Sequence, residues 1–389
     1  MAGGTTPSDW HDIDRRHRAG ILLGAAVVLI AAAAGLVALL GGEPAVVPGG
    51  ETTPTITPAE QTTETISPAP GYDFGVIGEE GREEVAASPD VPAPALDTAR
   101  IVSGSVAYRR DGWVCVAGAD GADERRVAES DSGAFALSPD GGTLAVIDDG
   151  SGQLVLVDVD SGDQVSVGPA IDDPPAWAPH SRWLVYTASG SHVMRIDRSG
   201  AAATLLMAGT MPAVSPDGRT VVAVIDAVRR GEIVVWQDGD TRRYITSVPI
   251  SGVCCTDERV YYGAGPDASG AVSLRSMRLD GRGDRAELTR ARSARPVAYA
   301  DLLRSPDGSW VCFAERGDDG YSRAFALPAG GGRLVELSGR RDCYPLMWSR
   351  DGSAVYLIEG NAMQGEPTWL VSVTPGDGLR RTLVDLGVR

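Results

Sequence analysis

The chain has 389 residues, 43% hydrophobic but only 6% aromatic, with 49 glycines and 25 prolines, a composition that suits a turn-rich β protein better than a helical bundle. All 35 basic residues are arginine, so P-loop, kinase-type and Schiff-base lysine chemistry is excluded. A net charge of −17 argues against binding of phosphate backbones, and the four scattered histidines (His11, His17, His180, His192) form no recognisable metal site.

The absence of lysine, a single asparagine (Asn361) and abundant Ala, Gly and Arg point to a GC-rich bacterial genome. At the N-terminus, a tail of residues 1–18 precedes 24 consecutive uncharged residues, Ala19 to Gly42. As a helix that stretch covers roughly 36 Å, enough for a hydrocarbon core of about 30 Å. Arg15, Arg16 and Arg18 stand immediately before it, and no basic residue follows until Arg82. The positive-inside rule therefore predicts a single-pass protein of the cell membrane, N-terminus cytoplasmic and the remainder extracytoplasmic. The apolar run exceeds the 7–15 residues of a signal-peptide core, which favours an uncleaved anchor over a cleaved leader. Residues 43–98 read as a disordered linker. Together with Gly42 they hold nine prolines, eight threonines and eleven acids against one arginine, too little apolar surface to offset ordering entropy. Tyr72-Asp73-Phe74-Gly75-Val76-Ile77 is a strand-like exception.

The remainder, 99–389, is a repeat. Ser138-Pro139-Asp140-Gly141 recurs as Ser215-Pro216-Asp217-Gly218 and Ser305-Pro306-Asp307-Gly308. Weakened copies stand at Ala178-Pro179-His180-Ser181, Cys255-Thr256-Asp257-Glu258 and Ser349-Arg350-Asp351-Gly352. Successive starts lie 40, 37, 40, 50 and 44 residues apart. Proline presets φ in a tight turn, Asp bonds its own backbone two residues on, and Gly supplies the permissive dihedral before the next strand. Apolar runs flank each turn, as in Phe135-Ala136-Leu137 and Leu144-Ala145-Val146-Ile147, and two further strand-like runs complete each unit. Four short strands per 40–45 residues is the period of a β-propeller blade. The predicted fold is all-β. A thin opening unit over residues 99–137 makes seven blades the favoured count, with six as the alternative.

Trp177-Ala178-Pro179 followed by Trp183-Leu184-Val185-Tyr186, and Trp348-Ser349-Arg350-Asp351-Gly352 followed by Ala354-Val355-Tyr356-Leu357, resemble the TolB-type β-propeller repeat over about three-quarters of the chain. The resemblance implies the fold, not one function, because such blades occur in translocation proteins, peptidase accessory domains and surface binders. In one respect the sequence departs from TolB propellers. Their last strand commonly completes the first blade, whereas here all four strand-like runs follow Trp348.

No G-x-S-x-G elbow in a helical context is visible. Acidic turns such as Asp148-Asp149-Gly150 and Asp318-Asp319-Gly320 lack a complete calcium-loop pattern. Arg282-Gly283-Asp284 spells an adhesion tripeptide within a turn. No cofactor is expected. Of five cysteines, Cys254 and Cys255 are adjacent on an inner strand and should point to opposite faces. Cys312 and Cys343 are a candidate disulfide, with small buried hydrophobes as the alternative. Loops entering the innermost strands and those joining second and third strands share one propeller face. They place Arg229, Arg230, Arg290, Arg292, Arg295, Arg340 and Arg341 on one sector, a candidate binding face for an acidic partner. The expected function is that of a membrane-tethered, non-enzymatic binding module whose partner is an envelope protein or an anionic cell-wall component. The alternative is a propeller enzyme, or a metal-dependent sugar or lactone binder, using the central channel. For topology, a reporter active only in the cytoplasm should be silent when fused after Arg389; its activity there would overturn the orientation.

Overall fold

The computed structural model describes residues 104–130, 133–290, 298–317, 321–339, 342–360 and 366–387. All of them belong to one compact unit. The span 19–42, the linker 43–98 and Ile101-Val102 lie outside the described residues. Among the described residues no helix is long and apolar enough to cross a membrane, and every regular element is a β-strand.

The strands form seven antiparallel sheets, each a contiguous stretch of chain in simple meander order. Blade 1 comprises β1 (Ser105–Arg110), β2 (Trp113–Gly118) and β3 (Arg125–Glu129). Blade 2 comprises β4 (Phe135–Leu137), β5 (Thr143–Asp148), β6 (Gln153–Asp158) and β7 (Gln164–Pro169); blade 3 comprises β8 (Ala176–Trp177), β9 (Trp183–Ala188), β10 (His192–Asp197) and β11 (Thr204–Ala208). Blade 4 follows with β12 (Thr210–Val214), β13 (Thr220–Ile225), β14 (Glu232–Gln237) and β15 (Asp240–Ile245). Blade 5 has β16 (Ile250–Cys255), β17 (Arg259–Ala264), β18 (Val272–Arg278) and β19 (Arg285–Arg290). Blade 6 has β20 (Ala298–Arg304), β21 (Trp310–Arg316), β22 (Ser322–Pro328) and β23 (Val335–Glu336), and blade 7 has β24 (Cys343–Trp348), β25 (Val355–Glu359), β26 (Thr368–Val373) and β27 (Arg380–Gly387). Seven blades, not six, make the ring. The opening unit is smaller than the sequence period implies, because residues 135–137 pair with β5 and belong to blade 2.

Strand alternation explains why the sheets stack. Along β13, Val222 and Val224 pack toward blade 5, while Val221 and Ala223 pack toward blade 3. Both faces are buried, so the strand reads as a continuous apolar run rather than an alternating one. Seven apolar clusters result, one at each junction between neighbouring blades. The junction between blades 7 and 1 closes the ring through Tyr356, Ile358 and Leu370 against Val106, Tyr108, Cys115 and Ala117. It is a packed contact; no strand is exchanged across it among the described residues. Gly121, at φ 83°, fits there because an added Cβ would sit 2.8 Å from the Leu383 carbonyl oxygen of β27.

The repeated turn joins each innermost strand to the second one. Buried Ser305 donates its hydroxyl proton to Asp307 (2.5 Å) and accepts the Trp310 N–H (3.0 Å), while Asp307 accepts the Ser309 N–H (3.0 Å). The same set recurs at Ser138, Asp140 and Thr143, at Ser215, Asp217 and Thr220, and at Ser349, Asp351 and Ala354. Pro139, Gly141, Pro216, Gly218, Pro306, Gly308 and Gly352 complete these turns. Blade 5 departs from the pattern. Thr256 N–H bonds the Arg259 carbonyl three residues on, where Ser305 N–H bonds Trp310 five residues on. Over this shorter turn, Gly308 of blade 6 reaches Pro216 of blade 4, with its Cβ position 2.9 Å from the proline ring.

Ser305→Ala leaves the Trp310 N–H without its acceptor and should cost about 1–3 kcal/mol in urea unfolding. Ser161→Ala, in an exposed turn, should stay within about 0.5 kcal/mol. Burial opposes ionisation of Asp140, Asp307 and Asp351, but their hydrogen bonds prevail and hold all three carboxyls below the usual range. Their contribution is therefore complete above the unfolded value of about 3.9 and lost as pH falls through the folded one, so acid should lower the melting temperature.

Candidate functional site

The six described innermost strands, with Ser105 and Ala107 of β1, enclose a central channel of about 1060 Å³. Each of these strands runs from a loop-side mouth to the turn-side mouth where the Ser–Asp turns gather. Near the loop side, β-bulges interrupt four of them: between Thr210 and Ala213, Ile250 and Gly252, Ala300 and Leu303, and Pro345 and Met347. A bulge re-aims the extra side chain, and Met211 (φ 54°) and Asp301 (φ 52°) sit there in the left-handed region.

The loop-side mouth is acidic. Asp173 accepts the Thr187 hydroxyl (2.6 Å) and the Met211 N–H (2.5 Å), and burial nonetheless raises its carboxyl above the usual range. Asp301 keeps 40% of its side-chain surface open to the lumen. Protein surrounds that lumen, so desolvation still raises its carboxyl, with Arg316 at 3.8 Å opposing. Three serine hydroxyls of the wall are committed within the fold: Ser138 to Asp140, Ser251 to the Tyr299 carbonyl (2.6 Å), Ser349 to Asp351.

The turn-side mouth is basic. Arg182, Arg304, Arg350 and His180 line it, alongside Asp140, which is paired with Arg198. Arg304 donates to three backbone carbonyls: Val214 (3.0 Å), Ser305 (3.2 Å) and Ser215 (3.3 Å). It thereby ties blade 6 to blade 4 over the short turn of blade 5. Burial pushes its guanidinium below the ordinary value. Sequence reasoning missed these arginines, although a signal was present. The residue before each repeated turn is Leu137, Trp177, Val214, Cys255 or Trp348 in the other blades and Arg304 in blade 6. Arg350 replaces the turn proline of blade 7, and His180 the turn aspartate of blade 3.

Of the arginines expected on the opposite face, Arg229 and Arg230 are exposed in the loop between β13 and β14, beside Val228 at 80% exposure. Arg290 lies at the same rim, paired in register with Val272 after the β17–β18 loop. Its guanidinium bonds Glu315 of blade 6 (3.1 and 3.3 Å). Arg292, Arg295, Arg340 and Arg341 lie outside the described residues. Two acids of blades 6 and 7 have partners elsewhere: Asp301 has Arg316, and Asp342 accepts the Ser322 N–H at 3.4 Å. In the adhesion-like tripeptide, Asp284 is held by Arg275 (2.7 Å) and the Tyr262 hydroxyl (2.8 Å).

All five cysteines are buried free thiols. Cys254 and Cys255 do point to opposite faces, toward blades 6 and 4. Cys312 and Cys343 meet in the cluster between blades 6 and 7 without being bonded. Burial pushes the Cys343 thiol up to about 12, which suppresses its thiolate. No group of His, Cys, Asp or Glu among the described residues could hold a metal ion.

No family model matches the sequence, and no curated protein matches it. Solved structures do. An oligogalacturonate lyase in complex with manganese aligns with 13% identity and a TM-score of 0.51, over 72% of this chain and 84% of the lyase. A prolyl endopeptidase aligns with 13% identity and a TM-score of 0.50, over 72% of this chain; the aligned part spans half of the endopeptidase. TolB from Acinetobacter baumannii aligns with 15% identity and a TM-score of 0.44, over 64% of this chain and 62% of TolB. At these identities the likeness is one of fold.

Asp173→Asn keeps an acceptor for Thr187 and Met211 while removing a carboxylate that burial disfavours. The folded value is raised, so the charge costs stability above it and nothing well below the unfolded one. The variant should match or exceed the parent's melting temperature at pH 7, with any gain vanishing below about pH 4.

Proposed function

We propose that the chain is a membrane-tethered, extracytoplasmic β-propeller that serves as a non-enzymatic binding module of the bacterial cell envelope, resembling TolB-type propellers. The carrying observation is the division of labour in the channel. The hydroxyls of Ser138, Ser251 and Ser349 and the carboxylate of Asp173 are engaged inside the fold, while Arg182, Arg304 and Arg350 form no ion pair among the described residues. Arginine stays protonated and presents a fork of donors, which suits recognition better than proton transfer. Tethering rests on the uncharged run Ala19 to Gly42 and the arginines before it.

The partner-facing surface in this reading is the loop side, led by Val228, Arg229 and Arg230, an apolar tip beside two exposed cations. Its partner is an acidic envelope protein or an anionic wall polymer. Reversing Arg229 and Arg230 to Glu in the full chain should weaken capture of that partner from an envelope fraction roughly tenfold, equivalent to about 1.4 kcal/mol. The salt dependence of capture should shrink while the melting temperature holds. Undiminished capture by the double reversal would refute this surface.

A further inference from the structure

We propose that the turn-side mouth of the channel is a binding site for a small oxyanion, a ligand bearing phosphoryl or carboxylate groups, held by Arg182, Arg304 and Arg350. The assignment rests on the channel as a place of recognition and is independent of the loop-side surface and of the tether.

Three observations converge. First, the three guanidiniums come from blades 3, 6 and 7 and line one cavity. Separate stretches of chain thus deliver positive charge to one concave space, in a region, 99–389, that holds 38 acids against 31 arginines. Among the described residues no carboxylate forms an ion pair with any of the three, whereas Arg198, Arg275, Arg285 and Arg290 each have one.

Second, Arg304 is a charged residue at a position that is Leu, Trp, Val, Cys and Trp in the other blades. Its three carbonyl bonds fix the guanidinium, and among the described residues two of its five N–H donors meet no protein acceptor. Half-burying a cation with no ion-pair partner among the described residues is costly, and an anion in the channel would offset that cost. The nearby carboxylates of Asp257 and Asp217 offset that cost only in part: neither forms an ion pair with Arg304, Asp217 is committed to its own turn, and Asp257 accepts the Asp217 N–H at 2.9 Å.

Third, all these residues lie where the repeat is broken. Arg350 stands in place of a turn proline, Arg182 follows the turn that has lost both Ser and Asp, and Arg304 rests above the shortened turn of blade 5. Repeats keep what the fold needs; these departures place forked donors around one opening. The far end of the channel carries Asp173 and Asp301, so the field along the axis draws an anion to the arginine end.

Channel-lining Trp177 and Trp348 provide the readout, since their indole emission should respond to a bound anion. The full chain in detergent is titrated with inorganic phosphate and, separately, with citrate. Saturable binding of either anion that weakens with added sodium chloride supports the site, and the preferred arm tells phosphoryl from carboxylate. Arg182→Ala with Arg350→Ala, two exposed positions whose loss should leave folding intact, is expected to lower affinity at least tenfold. Arg304→Lys, which keeps the charge but not the fork, should lower it as well. Arg229→Ala with Arg230→Ala should leave it unchanged and locates any effect away from the partner surface. Absence of saturable binding to both anions, or equal affinity in the Arg182/Arg350 variant, overturns the assignment. Either failure leaves loop-side capture standing on its own measurement.

Discussion

The Ser–Asp turn is the constraint on which the ring depends. A buried serine hydroxyl donates to the aspartate two residues on and accepts an N–H from the start of the next strand. One side chain therefore pins the innermost strand to the second and fixes how far the chain travels before turning outward. Because the turns also touch one another around the channel, as where the Asp140 N–H reaches the Ser181 hydroxyl at 3.0 Å, the local bond sets the spacing of whole blades. Where the turn is shortened in blade 5, the neighbours on either side close over the gap, and Arg304 fills the position this creates.

The fold was largely legible because its unit repeats and its chemistry is local. Three intact turns and three weakened ones fixed the period, and continuous valine runs such as Val221–Val224 marked strands buried on both faces. The site was less legible for a physical reason. Arg290 looked like a free loop cation in sequence, but its partner Glu315 lies in the next blade, a contact no spacing rule exposes. Conversely, Arg182, Arg304 and Arg350 are 122 and 46 residues apart, and only the ring brings them to one cavity. The readable clue was their misfit to the repeat. A residue that breaks a structural pattern and keeps donors the repeat does not use is the first to consider for function.

Charge is organised in the same spirit. An acidic chain keeps its carboxylates mostly in exposed turns, where water screens them, and collects unpaired guanidiniums inside a concave mouth where screening is weaker. The sign of the whole molecule and the sign of the turn-side mouth are therefore opposed. Desolvation acts on both ends of the channel, raising Asp173 and Asp301 and lowering Arg304, so each end favours a ligand of the charge it lacks.

The packed closure between blades 7 and 1 has a mechanical consequence. In a ring clasped by a shared strand, tension on one terminus loads a row of hydrogen bonds in shear. Here, among the described residues, the seam is a packed one without a shared strand: Tyr356, Ile358 and Leu370 lie against Val106, Tyr108 and Ala117. Force applied to blade 1 at Ser105 would load that seam, where apolar contacts yield in a peel at lower load than a sheared ladder. Arg350 stands beside this seam, its Cβ 3.2 Å from where a Cβ on Gly104 would lie, so the lining of the mouth includes the junction that closes the ring without a shared strand.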